Sequence, residues 1–396
     1  MSAGPLDGIR ILDLSIAVTG PYAVSLLADQ GADVVKIERP GIGDIGRWIG
    51  VAVNGMSSLF LVCNRGKRSI AVDLQTAEGL DIVRRLAADA DVIVENFRPG
   101  VMDRLGLGYA EVSTDNPDVV YASLSGFGSE GPYRDRSVYD TVMQAYAGFA
   151  ANQADPDDGV PVFLRQTAAD KVTSLYASQA ITAALFARAS GKGGQRLEIS
   201  MADAAVSFLW IDSAANEVLL ESDNTQHSSF VAGFRPLQFL DGWGIVTPTS
   251  DHDFAGMCKG LGAEGYDDPR IATIAERVKN RDVLEPVLDM CYALAANMTM
   301  AEATERLNAE RVPFAMILSA DEVTRDPHAV AIGLFEEADH HVVGRTRMPR
   351  HPTRFAATPA HLAGGAPALG QHTDEVLAEL GLDEQITDLR AANVVA

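Results

Sequence analysis

Cysteine is scarce. The chain has three, Cys63, Cys258 and Cys291, far apart in sequence. None forms a C-x-x-C pair or stands at metal-ligand spacing with histidine, so neither a disulfide framework nor a metal site is expected. A sparse, odd count fits a reducing compartment, and the expected location is the cytoplasm. No apolar run reaches the ~18 residues needed to span a membrane. Met1 to Gly8 has no basic n-region and no apolar h-region, so no signal peptide is expected. Positive charge is in short supply too, with 32 Lys and Arg against 54 Asp and Glu and a formal net charge of -22. Such a surface repels nucleic acid and anionic membranes, which excludes both as partners. An anionic ligand must then be held by local cations and helix N-termini.

What is present is ordinary globular material, 47% hydrophobic and 22% charged, in 396 residues. That length exceeds one small core and suggests two domains. Over the first 125 residues short apolar runs alternate with amphipathic stretches. Ile9 to Leu14, Asp33 to Glu38, Ser69 to Leu74, Asp91 to Asn96 and Val119 to Ser125 read as strands. Pro21 to Gln30, with proline at its first position, and Ala77 to Ala88 read as helices. Strands this apolar, separated by helices, indicate a parallel sheet covered on both faces. The fold expected is α/β, with a Rossmann-like doubly wound large domain over 1–222. A smaller α+β domain over 223–335 and a C-terminal segment, 336–396, returning to the large domain complete it.

From Tyr139 the pattern turns helical, with Ala168 to Ala189 and Ala202 to Leu220 as helices and Leu197 to Ser200 as a short strand. Asp223 to Ser229 reads as a linker, Gly344 to Pro352 as irregular chain, and Thr373 to Leu382 as a final helix. His340 and His341, adjacent on an extended segment, point apart and read as solvated surface. His227 falls in the linker.

Ile9 to Glu38 is a strand-helix-strand unit, the skeleton of a dinucleotide site. Its turn reads Ala17-Val18-Thr19-Gly20-Pro21, without the glycine fingerprint. That argues against a nicotinamide enzyme. Arg39, Asn96, Phe97 and Arg98 fall at C-terminal strand ends, where ligands bind in open α/β sheets. Arginine clamps phosphate and an aromatic stacks on a base. Taken alone, the same residues read more readily as solvated loop charges, since surface arginines are common.

Asp170 stands at the start of a long apolar helix. It reads either as a cap that complements the helix dipole, in a box with Thr167, or as a nucleophile. The helix N-terminus would lower its pKa and keep it ionised, and an ionised carboxylate attacks a thioester carbonyl. Spacing does not decide between them.

Taken in order, LDGIRILDLS (6–15), the Gly20-Pro21 turn, GADVVKIERPGIGD (31–44), NRGKRSIAVDL (64–74), ADVIVENFRPGVMDRLGL (90–107), SGFGSEGPY (125–133), VYDTVMQAYAG (138–148), the stretch around Asp170, RASGKGGQRLEISMADA (188–204), DPHAVAIGLF (326–335) and LGQHTDEVLAELGL (369–382) resemble one family. It is the class III coenzyme A transferases, the group containing formyl-CoA and carnitine CoA-transferases. The resemblance covers nearly the whole chain. It implies that Asp170 is the nucleophile, through aspartyl anhydride and aspartyl-CoA thioester intermediates. CoA and its acyl esters would be substrates, with no tightly bound cofactor. Arg39, Leu74, Asn96, Phe97, Arg98 and Arg104 match positions that hold the nucleotide end of CoA. Val138, Tyr139 and Asp140 match a segment lining the pantetheine channel. Relatives form interlocked homodimers, each site lying between the large domain of one chain and the small domain of the other.

The chain departs from the formyl-CoA enzymes in two places. Val18 stands where they have glutamine, in the CoA-contacting turn. The segment Val231 to Pro236 replaces their glycine-rich loop, so formate and oxalate are poor candidates. Phe234 and Arg235 are instead expected to shape the acceptor pocket, Arg235 pairing a second carboxylate. An α-methylacyl-CoA racemase would need two acid/base groups. Tyr139 stands where those enzymes carry histidine, and tyrosine is a poor base near neutral pH. A silent CoA-ester binder is the other alternative.

Overall fold

A computed structural model describes residues 4–154, 158–221, 234–362 and 364–396. The expected linker with His227, and most of the segment leading to Phe234, lie outside the described residues. The chain divides into two compact units, Met1–Ala215 with Gly333–Ala396, and Asn216–Ile332.

In the larger unit β1 (Arg10–Asp13), β2 (Asp33–Glu38), β3 (Arg68–Ala71), β4 (Val92–Glu95), β5 (Val120–Ser125) and β6 (Gln195–Ser200) form one sheet. Their spatial order is β3-β2-β1-β4-β5-β6, and every neighbouring pair is parallel. This is the doubly wound order with its topological switch between β1 and β4. The expected strands all belong to it, because central parallel strands are buried on both faces and therefore continuously apolar. The short strand expected at Leu197–Ser200 is two residues longer and forms the sixth member of the sheet.

Alternate residues face opposite layers. Ile11, Val34, Val92 and Val94 pack with α1 (Thr19–Ala28) and α4 (Ala168–Ala187). Leu12, Val35, Ile37 and Ile93 pack with α2 (Ala77–Ala88) and the C-terminal residues Val376, Leu377, Val394 and Val395. Helix α3 (Asp140–Tyr146) precedes α4. After β6, the Ser200 hydroxyl caps α5 (Met201–Ser213), which ends earlier than expected at the buried, non-helical Ala214. Helix α1 begins two residues before Pro21. Proline is tolerated there because the first four amides of a helix have no intrahelical acceptor. Gly20 is required for close approach, since a Cβ there would lie 2.3 Å from the Ser15 Cβ.

The smaller unit carries an antiparallel sheet of β7 (Leu237–Phe239), β8 (Gly242–Val246) and β9 (Phe314–Met316), in the order β9-β8-β7. Helices α6 (Asp251–Leu261), α7 (Arg281–Ala295) and α8 (Met300–Ala309) pack on it through Phe254, Leu261, Val287 and Leu307. Cys258 and Cys291, remote in sequence, meet in this core with sulfurs 3.8 Å apart.

The returning chain forms a hairpin, β10 (Phe335–His340) and β11 (Gly344–Pro349), where irregular structure was expected. Its charged alternation hides the strand: Glu337 pairs across it with Arg345 and Arg347. His340 is buried, contacts the Ala366 carbonyl at 2.8 Å and stacks on His341. The expectation of two solvated rings pointing apart fails because β10 ends at His340. Helix α9 (Thr373–Glu379) and the last residues seal the edge at β3. There the His372 amide donates to the Ser69 carbonyl and the Ala396 amide to the Ala71 carbonyl. Among the described residues no helix is long and apolar enough to cross a membrane.

Candidate functional site

The turn from β1 to α1 runs through Ala17, whose φ of +66° is uncommon for a residue with a Cβ. Its neighbours hold the backbone on every side. The Ser15 amide donates to Asp13 Oδ1 (2.9 Å), and the Ser15 carbonyl accepts from Lys36 Nζ (2.7 Å). Asn96, just past β4, accepts from the Ile16 amide and donates to the Ile16 carbonyl, both at 2.8 Å. The Ala17 amide donates to Asp44 Oδ1 (2.8 Å).

Behind these groups Lys36 pairs with Asp44 (2.9 Å), Lys67 with Asp13 (2.7 Å) and Arg47 with Glu38 (2.7 Å). All six side chains are buried. Burial raises the Asp13 pKa, but Lys67 and Lys36 outweigh it and hold the carboxyl below its usual value. Burial likewise opposes ionisation of Glu38, and the Arg47 hydrogen bonds reverse the sign. An over-determined backbone of this kind persists because the surrounding network fixes it.

The turn forms one wall of an open cleft of about 430 Å³ at the switch between β1 and β4. Ile16, Ala17 and Thr19 line it from the β1 side, Asn96, Phe97 and Arg98 from the β4 side. The segment Arg134 to Tyr139 adds Arg134, Arg136, Ser137, Val138 and Tyr139. Arg98 donates to the Ser137 hydroxyl (2.6 Å), and Arg136 lies over the Tyr133 ring at 3.5 Å. Three arginines thus face one cleft of a strongly acidic protein, the local cations that an anionic ligand requires.

Asp170, in the first turn of α4, is at this cleft. Its Oδ1 accepts from the Thr19 hydroxyl at 2.7 Å, a contact across 151 residues. Its own amide donates to Asp140 Oδ1 at 3.1 Å. Among the described residues no cation pairs with its carboxyl. Burial pushes the Asp170 carboxyl up to about 6; the Thr19 hydrogen bond opposes this and the Asp140 charge adds to it. The helix N-terminus was expected to hold this pKa low; desolvation and the Asp140 charge instead push it up. Thr167 makes no side-chain capping bond, so the proposed box is absent as well.

Of the residues singled out in the sequence, Asn96, Phe97, Arg98, Val138 and Tyr139 share the cleft with Asp170. Val18 is buried at the N-cap of α1, and Asp140 is buried beneath α4, so neither lines it. Arg39 and Arg104 are exposed beyond β2 and β4, and Leu74 packs against the core. Phe234 and Arg235 belong to the smaller unit, leading into β7. Sequence reasoning missed Thr19, Arg134 and Arg136, which line the cleft. Thr19 adjoins the quoted Gly20-Pro21 turn, which was the available signal.

The fold and site are those of a parallel α/β unit with Arg98, Arg134, Arg136 and the Asp170 carboxylate at its switch-point cleft. The sequence model of CoA-transferase family III matches residues 6–373, and the chain belongs to that family. It is 35% identical to an acyl-CoA transferase of Fusarium pseudograminearum, over 97% of this chain and 86% of that protein. It is 34% identical to succinyl-CoA:glutarate CoA-transferase of Mus musculus, over 96% of this chain and 87% of that protein. A crystal structure of a CaiB/BaiF family protein from Brucella suis matches with a TM-score of 0.82 and 32% identity, covering 96% of this chain and 100% of that one. The protein is an enzyme of the acyl-CoA:carboxylate CoA-transferase kind.

Proposed function

We propose that this enzyme moves CoA between carboxylic acids through covalent intermediates on Asp170. The observation that carries the reading is the Asp170 carboxylate at the cleft, held by Thr19, raised to about 6 and unpaired among the described residues. A carboxylate with that pKa is still ionised near neutrality and is a better nucleophile than one held near its usual value. Asp170 attacks the donor thioester carbonyl, and CoA leaves as the thiolate, giving a mixed anhydride. The thiolate then attacks the aspartyl carbonyl and releases the donor acid, leaving Asp170 as its CoA thioester. The acceptor carboxylate attacks that thioester, again releasing the thiolate. Attack of the thiolate on the acceptor side of the new anhydride yields acceptor acyl-CoA and regenerates Asp170. No other activating reagent is consumed.

Arg98, with Asn96 and Phe97, is proposed to face the nucleotide portion of CoA, and Val138 and Tyr139 its pantetheine arm. Arg39, Leu74 and Arg104 are the further candidates for the nucleotide end. Phe234 and Arg235 are proposed for the acceptor, and the working unit is proposed to be a homodimer. Dicarboxylic acids are the proposed substrate class. The succinyl-CoA:glutarate relative and the arginine-rich cleft support this.

The test is intact-protein mass after brief incubation with a panel of acyl-CoA esters, succinyl-CoA first. An acyl- or CoA-sized adduct on wild type and none on Asp170→Ala is expected. Exchange of the substrate α-hydrogen with deuterated solvent, without any adduct, would replace this reading with racemisation.

A further inference from the structure

Gln144 lies on α3 one helical turn after Asp140, and it is fully buried. Its amide is committed on both sides. Nε2 donates to Asp140 Oδ2 (2.6 Å), the Gln166 carbonyl (3.0 Å) and the Leu164 carbonyl (3.2 Å). Oε1 accepts from the Leu164 amide at 2.9 Å. The other oxygen of Asp140 accepts from the Asp170 amide. Asp140 therefore caps α4 from outside the helix, in place of Thr167, which makes no capping bond.

We infer that Gln144 is the positioning residue for the nucleophile, locking Asp140 under the first turn of α4 so that Asp170 is presented to the cleft. This rests on the reading of Asp170 as nucleophile. The residue type is specific. Three oxygens face Nε2 and one N–H faces Oε1, so only a side chain with both a two-proton donor and an acceptor satisfies them. Glutamate at this position would set a further oxygen against three others. An apolar isostere would leave a buried carboxylate and two carbonyls short of a donor. The lock joins three pieces of chain that meet at Asp170: α3, the segment Leu164 to Gln166, and α4.

Asp170 faces Thr19 from α1, Asp140 from α3, and the Arg98, Arg134, Arg136 and Tyr139 side of the cleft. Of the charged groups, Asp140 is the neighbour that raises the Asp170 pKa. Without Gln144, Asp140 is no longer held under the first turn of α4. Its charge then moves away from Asp170, so the Asp170 midpoint moves down.

The experiment is single-turnover formation of the Asp170 adduct, followed by mass from pH 5 to 8, in wild type and Gln144→Met. Binding of free CoA is measured alongside. The expected result is a rate about 10- to 100-fold lower near neutrality, as for a misplaced reacting group. The pH midpoint should fall by about half a unit or more, with CoA affinity within about twofold of wild type. An unchanged rate, or a slower rate with an unmoved midpoint, overturns the positioning role. If Gln144→Met does not fold, Gln144→Asn is read by the same two criteria. An adduct on wild type with normal behaviour of the variant overturns this inference alone. No adduct on wild type overturns it together with the Asp170 reading.

Discussion

Beneath the cleft of the larger unit, Asp13, Lys36, Glu38, Asp44, Arg47 and Lys67 are all buried, and their ion-pair partners are one another. In the smaller unit, Arg277 is the charged side chain buried among the described residues, set over Phe254 and paired with Asp251. The rest of that core is apolar, from Leu237 to Val312. An apolar core tolerates changes of shape, because dispersion and burial have little direction. A buried network of ion pairs adds little net stability but breaks hard, since losing one partner strands a charge. The larger unit carries such a network where one turn, Ser15 to Thr19, must be held in a single conformation beside Asp170. The smaller unit has no comparable requirement among its described residues.

Lys36→Met is the strongest way to break that comparison. It strands Asp44 and frees the Ser15 carbonyl, and a cost of about 3–5 kcal/mol is expected by chemical denaturation. Adduct formation should collapse with it. A cost below about 1 kcal/mol would make the network no more than a surface-like pair. Next is Leu307→Ala in the smaller unit, fully buried. A loss of about 2–4 kcal/mol is expected from burial and cavity together, with the rate of adduct formation per folded molecule unchanged. A rate that falls in proportion to stability would show that both cores serve the site alike.

The smallest effect is the pH response, which should be confined to the larger unit. Burial raises Glu95 to about 7 and Asp170 to about 6, both above their ordinary values. The folded chain then holds protons in this window that the unfolded chain has released, so stability rises as pH falls through it and is lost again as pH rises. Asp13 and Glu38, held low, stay ionised throughout. Activity runs the other way: below the Asp170 midpoint the ionised fraction, and with it adduct formation, falls about tenfold per pH unit. Denaturation and single-turnover rates at pH 5.5 and 7.5 check both signs. Rates flat across that interval would sink the Asp170 titration.

The strands of the parallel sheet were legible because each is an apolar run buried on both faces. The β10–β11 hairpin was not, because its alternating charges look like irregular chain until Glu337 meets Arg345 and Arg347. At the candidate site, the resemblance singled out Asp170 and five others that line the same cleft, Asn96, Phe97, Arg98, Val138 and Tyr139. Arg134 and Arg136 were not, because nothing local separates them from the other surface arginines.

The order of apolar runs by itself determined a doubly wound sheet, and the ordered motifs determined the family. Both are properties of local pattern along the chain. The acidity of Asp170 was decided only by the tertiary structure. A helix N-terminus is visible in sequence and argues for a low pKa, but desolvation and the charge of Asp140 come from groups that folding brings together. The contact with Thr19 spans 151 residues, and the lock at Gln144 joins segments 20 and 22 residues apart. Electrostatic energies depend on distance and burial in space, and neither is written in the spacing of residues along the chain.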